Sequence, residues 1–293
     1  MVLLSFRKGF QVANKSLLLV LAIGLLGIGY NLAVSPITGP IQKVMAPYQG
    51  PNPKPMEWAA VRPVLPQIIF MIVLGFLVST FFQAGLWGYV AKKQKTDQGS
   101  IPDFFKFGAR LFRPMALLIL FGIGFGLVTV LASIVPMVLA GVLASLTKSI
   151  TAVPQIIVLV GVLAMLAVLS YALYLGLLYF GMATPAIVAN DKKVMDSLKE
   201  SKSFIQGARF WPFVGLTTLY TLVAIAVYLL SIFVAVLTRS GAVPVAGIGI
   251  QPVQIASAVV FGIIFLYFDI AVKAGFVNYY LSANNNTSVA NSA

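Results

Sequence analysis

Six apolar stretches alternate with short polar or basic intervals along the chain, at about 16–34, 66–90, 115–139, 156–187, 213–237 and 255–279. Each reaches the ~20 residues that carry a helix across about 30 Å of hydrocarbon, so the pattern predicts six transmembrane helices. The fourth stretch is longer than one crossing needs. It is expected to tilt, extend into the interface or break near Pro185.

A second pattern overlies the first. The sequence Phe-x-x-Gly opens a basic, amphipathic stretch three times, at Phe6/Gly9, Phe105/Gly108 and Phe204/Gly207, each copy 99 residues from the next. Read as helices, Leu3, Phe6, Phe10 and Ala13 oppose Arg7, Lys8, Gln11, Asn14 and Lys15 in the first copy. In the second, Ile101, Phe104, Phe105, Gly108 and Phe112 oppose Asp103, Lys106, Arg110 and Arg113. In the third, Val194, Met195, Leu198, Ile205 and Ala208 oppose Lys192, Lys193, Asp196, Lys199 and Arg209. The later copies share Gly-Ala-Arg followed by Pro114 or Pro212, where an interfacial helix is expected to end and the chain to turn into the bilayer. Glycines close the even-numbered spans at Gly85, Gly181 and Gly275, suiting close helix approach. The expected fold is therefore an all-α polytopic membrane protein, with six transmembrane helices as three hairpin repeats, each preceded by an amphipathic interfacial helix. One domain over 1–281 is expected, with repeats about 1–95, 96–190 and 191–281, and a disordered polar tail over 282–293.

Composition agrees, with 60% hydrophobic and 9% charged residues, far from the shares of a soluble domain. The 20 Lys and Arg against 7 Asp and Glu flank the apolar runs, so anionic lipid headgroups, and not nucleic acid, are the expected partner. With the amino terminus inside, fifteen positive residues fall on the inner side, and five (Lys43, Lys54, Arg62, Lys148 and Arg239) fall outside. The positive-inside rule then places both termini in the cytoplasm. Arg7, Lys8 and Lys15 before an apolar run also resemble a secretory signal, but Pro36 directly after the run argues for a retained anchor. The outer loop 35–65 carries seven prolines, which excludes a long helix there and leaves either a stiff linker or a docking strap for another subunit.

Chemistry is sparse. With no Cys and no His, thiol chemistry and the commonest metal ligand are missing, and no phosphate-binding loop or zinc pattern occurs. No cofactor, metal or catalytic residue is expected. Asp269 and Lys273, four apart in the sixth span, share a helix face and can pair; such a pair is either a proton or ion site or a structural neutralisation, and the spacing favours the second. Gln83 reads as interhelical packing glue. Tyr171, Tyr174, Tyr179, Trp87, Tyr89 and Trp211 read as aromatic belt and packing. Headgroup contacts are expected from Arg7, Lys8, Lys106, Arg110, Arg113, Lys199 and Arg209, as anchors or, in a sharper reading, as the rim of an inner-face lipid or partner site.

Pro185-Ala186-Ile187-Val188, Ser197-Leu198, Ser201 and the segment from Phe204 to Trp211 resemble a group of uncharacterised bacterial six-span families, similar to the membrane domain fused to some glycerophosphodiester phosphodiesterases. The resemblance implies a six-helix module without known catalytic residues, and no phosphodiesterase activity carries over. The expected function is a non-catalytic membrane scaffold or accessory subunit that binds anionic lipids or partner membrane proteins. The alternative is a transporter, channel or lipid-handling protein, with an enzyme acting on lipids third.

Overall fold

The computed structural model describes residues 1–48, 58–147, 153–206, 209–240 and 252–290. All its regular elements among the described residues are helical: α1 (Val2–Asn14), α2 (Leu17–Met45), α3 (Trp58–Val61), α4 (Leu65–Thr96), α5 (Ile101–Leu146), α6 (Val153–Phe180), α7 (Ala183–Asn190), α8 (Val194–Ile205), α9 (Phe210–Ser240) and α10 (Pro252–Ala290). Six of the helical stretches are long and apolar enough to cross a membrane, and they coincide with the six apolar runs.

Proline shapes these helices differently from the sequence expectation. Helix α2 runs through Pro36 and Pro40 to Met45, into the proline-rich loop where the sequence predicts no long helix. Pro36 deprives the Leu32 carbonyl of its N–H partner. That carbonyl accepts instead from the Ser35 hydroxyl at 2.9 Å, which offsets the loss. Residues 49–57, the rest of the proline-rich stretch, lie outside the described residues. In α5 the break expected at Pro114 is absent, because a single helix of 46 residues passes through both Pro114 and Pro136. At 1.5 Å per residue it is roughly 70 Å long, more than twice the hydrocarbon thickness. The basic segment of the second copy is thus continuous with its span.

The fourth apolar stretch does break, at Gly181–Met182, between α6 and α7. A proline ring collides with the carbonyl four residues before it, which for Pro185 is that of Gly181, so the helix ends there and Pro185 sits in the first turn of α7. In the third copy the chain leaves α8 at Gln206, in extended conformation, and restarts at α9. Helix α10 continues to Ala290, so the segment expected to be a disordered tail is helical through that residue. Once a helix is under way, each added residue gains a hydrogen bond for one residue fixed. Residues 291–293 lie outside the described residues.

The chain divides into two compact units, Met1–Phe112 with Val214–Ala293, and Arg113–Phe213. In the first unit burial concentrates at the carboxyl-terminal ends of α4 (Ala84 to Ala91) and α10 (Phe268 to Ala283), with α1 packed chiefly on α10. In the second it concentrates around Leu178 to Ala189 and α8. The other halves of the long helices expose large apolar side chains such as Ile72, Leu131, Leu163 and Leu229. Lipid solvates such surface at no cost, whereas water would not.

Candidate functional site

The sequence points to the basic helix faces and to one intramembrane pair, and the structure places each. Helix α1 buries Ser5, Gly9, Val12 and Ala13 and leaves Arg7, Lys8, Gln11, Asn14 and Lys15 exposed. Leu3, on the apolar side of this helix, is 74% exposed. Its face is set by close approach: a methyl on Gly9 would collide with the Ala271 carbonyl and lie 3.1 Å from the Gly275 nitrogen. Only a residue without a side chain lets the two backbones meet. Phe6 and Phe10 flank this seam; Phe6 packs on Tyr220 with ring centroids 5.0 Å apart, and Phe10 on Phe268 at 5.9 Å. A polar link ties α1 to α10, the buried Asn278 amide donating to Ser5 Oγ at 3.0 Å, and beside it Tyr220 of α9 donates to the Ala271 carbonyl of α10 at 3.0 Å.

In the second copy the buried line is Phe104, Gly108, Leu111, Met115 and Leu118. It matches Ser5, Gly9, Val12, Ser16 and Leu19, all buried, position for position at an offset of 99. Phe104, wholly buried among Phe81, Phe82 and Phe105, fills the core place, while Phe105 is 41% exposed. The hallmark phenylalanine of this copy therefore lies at the edge of the core, one residue out of the buried register. A side chain on Gly108 would meet the Phe81 ring at 2.8 Å. In the third copy Phe204 is buried and Gly207 and Ala208 lie outside the described residues. Met195, on the apolar side of this segment, is 55% exposed, and Ser197 and Ser201 are buried. Ser201 Oγ donates to the Leu178 carbonyl at 2.8 Å and accepts the Met182 N–H at 2.9 Å, closing the helix break beside it.

Lys106, Arg110 and Arg113 are exposed and, at spacings of four and three, share one face of α5; Lys199 is exposed on α8. The Arg209 guanidinium lies 4.7 Å from the Phe204 ring centroid. At the start of α5 the Asp103 carboxylate accepts the Ser100 N–H at 2.9 Å and the Ser100 hydroxyl at 2.7 Å, and also pairs with Lys92 at 2.8 Å.

A polar pocket of about 210 Å³ opens between α1 and the end of α4, lined by Lys8, Gln11, Val12, Lys15, Lys93, Gln94 and Asp97. Lys93, 8% exposed, donates to the Lys15 carbonyl at 2.6 Å and to the Tyr89 hydroxyl at 3.1 Å. Tyr89 in turn donates to Ser16 at 3.3 Å. Lys15 pairs with Asp97 at 2.8 Å. The Lys15 ammonium, by hydrogen bond and charge, holds the Asp97 carboxyl below its ordinary value of 3.8. Asp97 caps α4 with φ 54°, a left-handed conformation that Asp tolerates. This cluster was not legible locally, since its partners come from 73 to 82 residues apart.

Asp269 and Lys273 pair within α10, and Lys273, 3% exposed, also lies 5.5 Å from the Trp87 ring centroid. Trp87 and the buried Tyr89 thus each lie beside a lysine, while Tyr171, Tyr174 and Trp211 are exposed. Gln83 is half-buried with no hydrogen bond among the described residues. No group of three or more potential metal ligands occurs among the described residues.

Helices of this length and apolarity, with their ionisable groups at helix ends or paired, define a polytopic membrane protein of the all-α class. A family model described as "Protein of unknown function (DUF975)" matches residues 7–287, and the chain belongs to that family. No curated protein matches the chain, and no solved structure does.

Proposed function

We propose that the protein is a non-catalytic scaffold or accessory subunit of a bacterial inner membrane, both termini cytoplasmic, that gathers anionic lipids and partner membrane proteins at its inner face. One observation carries the reading: the two buried lysines, Lys93 and Lys273, sit among structural groups, while most basic residues at the starts of the spans are exposed on helix faces. Lys273 is paired with Asp269 and lies beside the Trp87 ring, and Lys93 donates to a carbonyl and a tyrosine. Neither is poised to move an ion. Arg7, Lys8, Lys106, Arg110, Arg113 and Lys199 face outward at the starts of spans, where a phosphate can be met. On this reading the three basic segments are related repeats, as the shared buried register of the first two supports, and together they set the depth of the bundle. The likeness to the membrane domain of glycerophosphodiester phosphodiesterases belongs to the same reading.

The test replaces Lys106, Arg110 and Arg113 by Gln in the full chain and compares its preference for phosphatidylglycerol over phosphatidylcholine in lipid nanodiscs, by spin-labelled lipid. Each basic residue near the headgroups is worth about 1 kcal/mol, roughly fivefold in local anionic enrichment. An unchanged preference would refute lipid gathering by this face. Transport by the sixth span is addressed separately: Asp269→Asn should leave any solute flux of proteoliposomes unchanged, and a flux in the parent lost in a folded variant would favour a transporter.

A further inference from the structure

A groove of about 570 Å³ runs between α5 and α6 in the second unit, a size typical of small-molecule sites. Its walls include Phe121, Gly124 and Phe125 of α5, Leu175 and Tyr179 of α6, and Leu198 of α8. We propose that this groove holds one acyl chain of an anionic phospholipid, with the lipid phosphate held by Lys202. The inference rests on the reading above, that anionic lipid is the partner, and assigns it a discrete site.

Three observations select this occupant. The lining is apolar apart from the Tyr179 hydroxyl, so a polar solute or an extended peptide would leave its hydrogen-bonding groups without partners. A hydrocarbon chain has none to satisfy. The groove is hollow at Gly124, where a Cβ would have no neighbour within 4 Å, so a slender chain fits along the α5 backbone. Charge then marks one end. Tyr179 lines the groove, and the Lys202 ammonium lies 5.3 Å from its ring centroid. Leu198, the wall residue from α8, is one turn before Lys202 and adjacent to Lys199. Among the described residues Lys202 has no carboxylate partner, whereas Glu200 on the same helix is taken by Lys192 at 2.6 Å. An apolar channel ending at an unneutralised ammonium matches a molecule with a hydrocarbon tail and an anionic head. A second transmembrane helix would fill the apolar part and leave the ammonium without a counter-charge.

The experiment uses the full chain purified in mild detergent, partly delipidated, then exchanged with either phosphatidylglycerol or phosphatidylcholine and examined by native mass spectrometry. The parent should retain one phosphatidylglycerol tightly and phosphatidylcholine weakly. Gly124→Leu fills the hollow and should abolish that retention; the position is exposed and open, so the fold should survive, as far-ultraviolet circular dichroism would show. Leu175→Trp narrows the groove from the other wall and should act alike. Lys202→Gln should weaken retention of phosphatidylglycerol about fivefold and leave phosphatidylcholine unchanged. Retention unaltered by both groove-filling variants would overturn the proposal, as would equal retention of the two lipids by the parent. A co-purifying protein lost with Gly124→Leu would assign the groove to a partner helix and overturn it too. The variant with Gln at 106, 110 and 113 separates the two ideas: it should keep the single tight lipid, so failure of general lipid gathering and failure of this site give different spectra.

Discussion

Gly275→Ala tests the packing of Tyr220 of α9 on α10, beside the ring of Phe6 in α1, through two effects of opposite sign. In a helix interior the change from Gly to Ala gains up to about 1 kcal/mol from backbone entropy alone. Here the added methyl collides with the Tyr220 hydroxyl and lies 2.7 and 2.9 Å from two of its ring carbons. Relief requires Tyr220 to swing away, which breaks its 3.0 Å hydrogen bond to the Ala271 carbonyl. Overpacking of this kind costs about 1–3 kcal/mol, and a lost buried hydrogen bond about 1 kcal/mol more. The net expectation is destabilisation by about 1–3 kcal/mol, despite the better helix former. Tyr220→Phe removes the oxygen that collides, so the double variant should recover part of the loss, and the cycle should show coupling. Unfolding in mixed micelles reports the stability, and trypsin cleavage at Arg7, Lys8 and Lys15 reports the release of α1. A neutral or stabilising Gly275→Ala, or a double variant no better than the sum of the singles, would refute the close approach.

Ser201→Ala should cost about 1–3 kcal/mol in the same unfolding assay, because the Met182 N–H and the Leu178 carbonyl both lose a buried partner; a loss of a few tenths would show that the helix break is closed otherwise. Lys273→Met should destabilise less when combined with Asp269→Leu than alone, since the single change strands the carboxylate; additive effects would show that the pair is not coupled. The Lys15–Asp97 pair makes stability depend on pH. The folded carboxyl sits below its unfolded value of 3.8, so the contribution is complete above that pH and lost as pH falls through the lower folded value. Asp97→Asn should flatten this part of the acid limb of a pH–stability curve, and an unaltered acid limb would contradict the pairing.

The six spans were legible because run length alone decides whether a helix can cross a bilayer, and no tertiary context alters that count. The packed faces were less legible. Leu3 and Met195, on the apolar sides that the sequence marks, are exposed, whereas Ser5, Gly9 and Ser201 are buried. Lipid is as apolar as a leucine side chain, so in a membrane small and hydrogen-bonding residues mark the contact and large apolar ones need not. The glycine of the Phe-x-x-Gly pattern was therefore the better signal than its phenylalanine, as the exposed Phe105 shows. Proline misled where a rescue was available, as Ser35 provides at Pro36, and informed where it was not, as at Pro185. The Lys93, Tyr89 and Ser16 chain has no local signature, because it joins α4 to the turn after α1 only once both are folded.

Everything rests on lipid as the solvent of these helices, with the basic segments all on the cytoplasmic side. The chain has no native Cys, so single-cysteine scanning carries no background. Ser100→Cys and Ser203→Cys should resist a membrane-impermeant maleimide in intact cells and react after permeabilisation, while Arg62→Cys reacts at once. Immediate labelling at Ser100 or Ser203, or protection of all three sites until the membrane is opened, would contradict the account.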